Sequence, residues 1–272
     1  MHPTVKIALR VVRKAGDLAL NGADQMKRLP KTEKSRVEFM QVLYRQLEHH
    51  LYTGLKASFP QHGFVIGEDG EAETKKANYW RFHILDDGQN FFRSIPHYSI
   101  GLVCFVEGRA QHCVLLNPHT QEEFSASKGE GAAVNQSRLR VSATAYLDKA
   151  SLSTEKSTAQ AWSSQLQYLS ARCAQIRITG SPFLDLAYVA AGRMDAHWQS
   201  NPSLVAAFGG RLLVQEAGGL VSDFSGDRER PHAGSNNELQ AGDSSNESRS
   251  SALLAATPLV HQFMVAALKQ TK

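Results

Sequence analysis

Two long helical patterns at the start of the chain constrain its fold more than any other feature. From residue 3 to about residue 20, small and apolar residues recur every three to four positions, which is the period of an amphipathic helix. A second pattern, built on leucines four residues apart, runs from about residue 37 to residue 58. Pro60 ends it, because proline cannot continue a helix. The sequence therefore predicts that the chain begins with two helices.

The periodicity changes after Pro60. Short apolar segments, separated by turns such as Glu107-Gly108-Arg109, predict a mostly antiparallel sheet. The predicted strands cover residues 64–66, 80–85, 99–107, 112–116 and 123–127. Residues 1–145 are therefore expected to combine the two helices with an antiparallel sheet.

The second half of the chain alternates between strands and helices. Predicted strands at 150–153, 175–178, 195–198, 220–223 and 253–256 are interleaved with predicted helices at 159–170, 181–191, 204–217 and 258–269. This alternation implies α/β layers, so we predict an α+β or α/β fold in which residues 146–272 complete one compact unit. Residues 227–251, rich in Gly, Ser, Asn, Glu and Arg, are expected to be a long mobile insertion.

Composition excludes several classes of protein. Of the 272 residues, 42% are hydrophobic, which excludes disorder for most of the chain. No apolar run approaches the ~20 residues of a membrane-spanning helix. The N-terminus lacks the layout of a signal peptide and the three cysteines contain no CxxC pair, so we expect a cytoplasmic protein. The net charge of +4 permits an anionic partner without requiring one, and direct nucleic-acid binding stays open.

Several segments match a known family. The densest matches are residues 184–193 (LDLAYVAAGR) and 216–223 (EAGGLVSD), supported by Asn90-Phe91 and Gly129-Glu130-Gly131. On these residues the chain resembles the inositol monophosphatase family over nearly its whole length, and most of all bacterial members that act in transcription antitermination. The resemblance implies an α-β-α-β-α layered sandwich, usually a homodimer. It also implies hydrolysis of phosphate monoesters with Mg²⁺ ions held by carboxylates.

Two of the metal-binding carboxylates and one substrate-contacting carboxylate that the resemblance implies are replaced. Counted without gaps, the first-motif Asp, which ligates metal and helps position the attacking water, is Tyr44, and the upstream Thr is Gln41. The fourth-motif Asp is Ala206, and an upstream Glu that contacts the sugar alcohol in the family is Gln199. A phenol, with a pKa of about 10, is a poor Mg²⁺ ligand at neutral pH. No catalytic residue is therefore assigned at these positions.

The third motif, Asp-Pro-(Leu/Ile)-Asp-Gly-Thr, is also altered. Its first Asp is His83 and its second is retained as Asp86, while its Gly and Thr are Asp87 and Gly88. A one-residue shift pairs Asp87-Gly88 with Asp-Gly, but leaves no Asp three positions earlier. Neutral imidazole is a softer ligand than Mg²⁺ prefers, and Asp87 brings negative charge to the place of the phosphate.

The resemblance leaves a small set of candidate ligands. The second motif, Gly-Glu-Glu, is matched by Gly67-Glu68-Asp69, so its first Glu, which would bridge metals, is retained as Glu68. Ser181 lacks the pattern of a nucleophile elbow, so this residue and Asp185 are expected to serve architecture and local hydrogen bonding. The candidate metal ligands are Glu68, Asp86 and the Leu85 carbonyl, with Asp69, Asp87 and His83 as further candidates, and the candidate phosphate or substrate contacts are Gly88, Gln89 and Gln199.

Two functions stay open at this point. The first is a catalytically impaired family member, a pseudophosphatase without an assigned cofactor. It would be a homodimer that binds transcription elongation factors and RNA polymerase during ribosomal RNA synthesis. The second is an active phosphatase whose rearranged site, around Glu68, Asp86 and His83, uses Mg²⁺ or an ion such as Mn²⁺ or Zn²⁺. The loss of carboxylates at Tyr44, His83 and Ala206 favours the first, and neither requires a membrane.

Overall fold

The computed structural model describes residues 1–30, 32–66, 76–86, 88–228 and 252–271. Glu68, Asp69 and Asp87 lie outside these ranges, as does the predicted insertion apart from Asp227 and Arg228. No helix in the described ranges has both the length and the apolar character to cross a membrane.

The predicted helical pair is present as α1 (Pro3–Arg28) and α2 (Glu33–Ser58). α1 does not end near residue 20, because Ala23 and Met26 continue its buried face for two further turns. The two helices approach closely at Gly22, where a Cβ atom would lie 2.8 Å from Leu43 Cδ2. A glycine therefore allows this contact, which brings α2 against the rest of the molecule.

The first sheet has seven strands in the order in which they occur in the chain. Its strands are β1 (Gly63–Val65), β2 (Asn78–Ile84), β3 (Ile100–Val106), β4 (Arg109–Asn117), β5 (Glu122–Ser127), β6 (Gly131–Val134) and β7 (Ser137–Arg138), and the short helix α3 (Gln89–Phe92) follows β2. All neighbouring strands are antiparallel except β1 and β2, which are parallel. The mostly antiparallel sheet expected from the sequence is confirmed, with two more strands than predicted.

The second sheet has five strands in the order β11-β12-β10-β8-β9. Its elements are β8 (Ser151–Thr154), α4 (Gln160–Ser170), β9 (Gln175–Arg177), α5 (Pro182–Ala190), β10 (Ala196–Gln199), α6 (Leu204–Glu216), β11 (Leu220–Ser222), β12 (Leu253–Ala256) and α7 (Pro258–Gln270). β8 is parallel to both of its neighbours, whereas β12 is antiparallel to both of its own. The predicted alternation of strands and helices is confirmed.

Five layers result from how these elements pack. α1 and α2 cover one face of the first sheet, and α5 and α6 cover the other. α5 and α6 also contact the second sheet, whose far side carries α4 and α7. The order of layers is helix, sheet, helix, sheet, helix, as predicted. The end of β2 lies beside both α2 and α6, and this is where the motif residues meet.

Candidate functional site

A cleft of about 180 Å³ lies between the middle of α2, the end of β2 and the beginning of α6. Three of the sequence-predicted positions, Tyr44, His83 and Asp86, line it. Ser203 and Val205 bring the start of α6 into the same wall, next to Ala206. The remaining described lining residues are Glu48, Phe82 and Ile84. The altered motifs therefore do converge in space, as the resemblance implies.

Protein donors surround the Asp86 carboxylate, whose side chain is only 2% exposed. His83 Nε2 lies 2.7 Å from Oδ1, while Oδ2 accepts hydrogen bonds from the Ser99 amide at 2.9 Å and the Ser181 hydroxyl at 2.6 Å. Leu85 and Asp86 both have positive φ angles, 59° and 53°, and this uncommon backbone turns the carboxylate inward. Both carboxylate oxygens are thus committed to protein partners.

The turn after Asp86 is closed by its own backbone. The Gly88 amide donates to the Leu85 carbonyl at 2.8 Å, and Leu85 is fully buried. The candidate metal ligand at Leu85 and the candidate phosphate donor at Gly88 are therefore bonded to each other. Gln89, the remaining candidate contact in this turn, is exposed at the start of α3.

Tyr44 fills the space in front of this turn. A Cβ atom added to Gly88 would lie 2.7 Å from the Tyr44 hydroxyl oxygen, closer than real Cβ atoms approach. Gly88 also has a φ of +77°, which strains any residue with a side chain. A threonine at this position, which the family motif carries, would require Tyr44 to shift, so the replacements at the two positions are coupled.

We predict that Gly88→Thr lowers the free energy of unfolding by roughly 2–4 kcal/mol, from backbone strain and overpacking together. Urea denaturation measures this cost. Gly129→Thr is the matched control, because Gly129 has a similar φ of +80° and nothing within 4 Å of its added Cβ. Adding Tyr44→Ala should recover part of the cost of Gly88→Thr and none of the cost of Gly129→Thr. Strictly additive effects at Tyr44 and Gly88 would contradict the contact.

The other candidate positions do not line the cleft. Ala206 is fully buried in the core between the first sheet and α6 and offers no polar side-chain atom. Gln199 is buried, bonds the Glu155 carboxylate and lies 3.3 Å from His197 Nε2 through its Oε1 atom. Gln41 is exposed on α2. None of the three contacts Asp86 through a described hydrogen bond.

The described donor set does not fit a Mg²⁺ ion. Mg²⁺ takes six oxygen ligands in near-octahedral geometry, usually one or two carboxylates and water. In the cleft, Asp86 is bonded to protein donors on both oxygens, Glu48 supplies a second carboxylate, His83 a ring nitrogen and Tyr44 a phenol. Within the described ranges, no three His, Cys, Asp or Glu side chains are grouped so as to hold a metal.

A second buried polar network lies beside the cleft, on α5 and the second sheet. The Thr179 hydroxyl donates to Asp185 Oδ1 at 2.8 Å, and His197 Nδ1 lies 3.7 Å from Oδ2 and 3.0 Å from Ser153 Oγ. Burial raises the pKa of Asp185 to about 7 and lowers the pKa of His197 to about 4. The predicted hydrogen-bonding role of Asp185 is present. Its partners on the second sheet were not predicted. The polar residues Ser153 on β8 and His197 on β10 are nevertheless a sequence signal for such a network.

Asp185 and His197 have opposite effects on how stability changes with pH. Between pH 4 and 6.5 the folded pair keeps one proton on Asp185, whereas the unfolded chain keeps one proton on His197. The two contributions to the pH dependence of the free energy of unfolding therefore cancel. Two other buried histidines, His112 and His261, also have pKa values of about 4, because burial disfavours their charged form. Their contribution to stability is present above pH 6.5 and is lost as the pH falls toward 4.

We predict that Asp185→Asn makes the loss of stability in acid steeper. Without the carboxyl, nothing offsets the depressed pKa of His197, and the folded state binds about one proton fewer than the unfolded state between pH 4 and 6.5. The free energy of unfolding should then fall faster than in wild type, by about 1.4 kcal/mol per pH unit. Urea denaturation at pH 7, 6 and 5 tests this. Parallel curves for the two proteins would contradict it.

A wider groove of about 610 Å³ is lined by Arg177 and Thr179, which precede α5, and by Ile95 and His97. Tyr188, Arg193 and Met194 form part of its wall, and Arg193 is held by an ion pair with Glu122. Ile95, another lining residue, is 47% exposed, and the neighbouring loop carries Ile178, which is 49% exposed. Exposed isoleucines of this kind are typical of contact surfaces when they cluster.

A family profile and individual relatives connect this chain with the same group of proteins. The profile of the Inositol monophosphatase family matches residues 1–262. The chain is 38% identical over 240 residues to the Nus factor SuhB of Pseudomonas aeruginosa, covering 84% of this chain and 88% of that protein. It is 35% identical over 232 residues to the Nus factor SuhB of Escherichia coli, covering 83% and 87%.

Solved structures agree with the sequence comparison. The extragenic suppressor protein SuhB of Bartonella henselae superposes with a TM-score of 0.82 at 26% identity, covering 99% of both chains. The inositol monophosphatase of Anabaena superposes with a TM-score of 0.79 at 22% identity, covering 98% of this chain and 95% of that one, and it supports the fold alone. The chain belongs to the inositol monophosphatase family.

Proposed function

We propose that this protein is a SuhB-like, catalytically impaired member of its family that acts by binding partners of the transcription machinery. The observation that carries the proposal is the hydrogen bonding of Asp86, the retained motif carboxylate within the described residues. Both of its oxygens are bonded to His83, Ser99 and Ser181. Phosphoryl transfer in the family requires carboxylates that are free to hold metal ions, because the metals activate water and neutralise developing charge.

The names of its relatives support the binding half of the proposal. Proteins that are 35–38% identical to this chain over most of its length are called Nus factors, which points to the machinery of transcription elongation. Such a role is carried by surfaces, so it survives the replacement of a metal ligand by Tyr44, His83 or Ala206. Elongation factors and RNA polymerase are therefore the partners that we propose, in ribosomal RNA synthesis. The net charge of +4 does not require direct nucleic-acid binding.

A homodimer in the cytoplasm completes the proposal. The groove beside Ile95, with its exposed isoleucines and the tethered Arg193, has the mix of apolar and charged groups found at subunit interfaces. Cys104, Cys113 and Cys173 are unpaired, which suits a reducing compartment.

The alternative is a metal-dependent phosphatase with a rearranged site. It is favoured by Glu48, a half-buried carboxylate in the same cleft as His83 and Asp86. Burial raises the pKa of Glu48, as expected for a carboxylate that lacks a compensating cation. A cation bound there would be an ion such as Mn²⁺ or Zn²⁺, since imidazole suits the latter. Mg²⁺ would be the ion used if the family reaction were retained.

Binding to purified RNA polymerase elongation complexes, with and without added elongation factors, tests the proposal. We expect the wild-type protein to be retained on the complexes and the Tyr44→Ala variant to be retained equally, because the proposal places the contact surface outside the cleft. An unrelated protein of similar size and charge serves as the negative control. Absence of retention from every complex, together with metal-dependent release of phosphate from a phosphate ester, would favour the alternative.

A further inference from the structure

The hydrogen bonds around Asp86 join two parts of the chain that are far apart in sequence. The Ser181 hydroxyl, at the start of α5, donates to Asp86 Oδ2 at 2.6 Å across 95 residues of sequence. The Asn90 side-chain amide, on α3, donates to the Thr179 carbonyl at 2.8 Å across 89 residues. Both bonds connect the turn after β2 with the loop that leads into α5.

Burial makes these contacts strong. Ser181 is fully buried and the Asp86 side chain is 2% exposed, so water does not compete for either partner. Hydrogen bonds to a carboxylate are also shorter and stronger than bonds between neutral groups. Gly180, with a φ of +75°, allows the loop to pass beside Asn90, because a Cβ there would lie 3.2 Å from Asn90 Nδ2.

The network is continuous from the first sheet to α5. It starts at His83 on β2, passes through Asp86 to Ser181, and the Ser181 amide donates to Thr179 Oγ1 at 3.2 Å. The Thr179 hydroxyl in turn donates to Asp185 on α5. α5 packs against β10 of the second sheet, so the network spans the layer between the two sheets.

We propose that His83, Asp86 and Ser181 form a metal-independent cross-link that fixes α5 against the end of β2. In this cross-link the His83 imidazole takes the side of the carboxylate that a cation would otherwise occupy. All three are positioning residues, and the arrangement of the two sheets then needs no divalent ion. This inference goes beyond the proposed function and does not depend on which partner the protein binds.

Hydrogen–deuterium exchange on the full-length protein tests the cross-link. Ser181→Ala removes the donor on the α5 side. We expect it to speed amide exchange roughly tenfold to hundredfold both in residues 179–186 and across the contact in residues 85–100. His83→Asn should give the same pattern from the other side, because coupling between two sites is reciprocal. Addition of Mg²⁺ or of EDTA should leave both segments of the wild-type protein unchanged.

Ser222→Ala is the matched control. Ser222 is also fully buried, but its hydroxyl lies 2.8 Å from His261 within the second half of the chain. Its effect should be confined to β11 and α7. If Ser181→Ala loosens the whole protein, Asp86→Asn supplies the second test, since it should speed exchange in residues 179–186 while β11 and α7 stay protected. An effect of Ser181→Ala confined to α5, or a large slowing of exchange by Mg²⁺ in residues 85–100, would overturn the proposal.

Discussion

Replacing Ala206 by aspartate, the residue of the family motif, should lower the free energy of unfolding by about 3 kcal/mol or more. Ala206 is fully buried and packs in the core beneath the first sheet. The start of α6 favours a negative charge by up to about 1 kcal/mol, which is less than the cost of removing a carboxylate from water. Urea denaturation at neutral pH measures the effect.

Ala206→Asn separates the charge from the volume of the new side chain. It adds the same number of heavy atoms without a charge, so it should cost less than Ala206→Asp, and the difference should shrink as the pH falls and the new carboxyl is protonated. Mg²⁺ should not restore the aspartate variant, because Asp86 is bonded to protein donors on both oxygens and the described residues contain no group of three His, Cys, Asp or Glu side chains that could hold a metal. An Ala206→Asp protein as stable as wild type would contradict this account of the cleft.

Most of the fold could be predicted from the spacing of apolar residues. Period and turn residues are local signals, so they located both long helices, the antiparallel strands and the alternating second half. The end of α1 was missed because Gly22 interrupts an apolar face that Ala23 and Met26 then continue. The strands β6 and β7 were missed because four-residue and two-residue strands carry too few positions for alternation to be recognised. The parallel pairing of β1 with β2 is a long-range property without a local signal.

The positions of the candidate site residues could be predicted, but their contacts could not. Counting along the family motifs assigned Tyr44, His83 and Asp86 to one site, and all three line the same cleft. The partners of Asp86 could not be predicted, because Ser99 and Ser181 are 13 and 95 residues away in sequence. The close approach of Tyr44 to Gly88 depends on the positive φ of that glycine, which the sequence only permits. Tertiary contacts of this kind decide what a retained carboxylate can bind.

The phosphatase rate of this protein should be on the order of 10³-fold or more below that of an active family member. The two retained motif carboxylates, Glu68 and Asp86, could hold one ion weakly, but they could not organise a displacement that uses a pair of metal ions. A loss of roughly 4 kcal/mol of transition-state stabilisation already corresponds to such a factor, at 1.36 kcal/mol for each tenfold change in rate. The wild-type protein and a Glu68→Ala variant should therefore show the same background rate.

The central claim is tested most directly by the release of inorganic phosphate from inositol monophosphate. The purified protein is assayed in saturating Mg²⁺ beside an active inositol monophosphatase, and the assay is then repeated with Mn²⁺ and Zn²⁺. We expect no turnover above the Glu68→Ala background with any of the three ions. Turnover in Mg²⁺ at a rate comparable to that of the active enzyme, abolished by Glu68→Ala, would contradict the account.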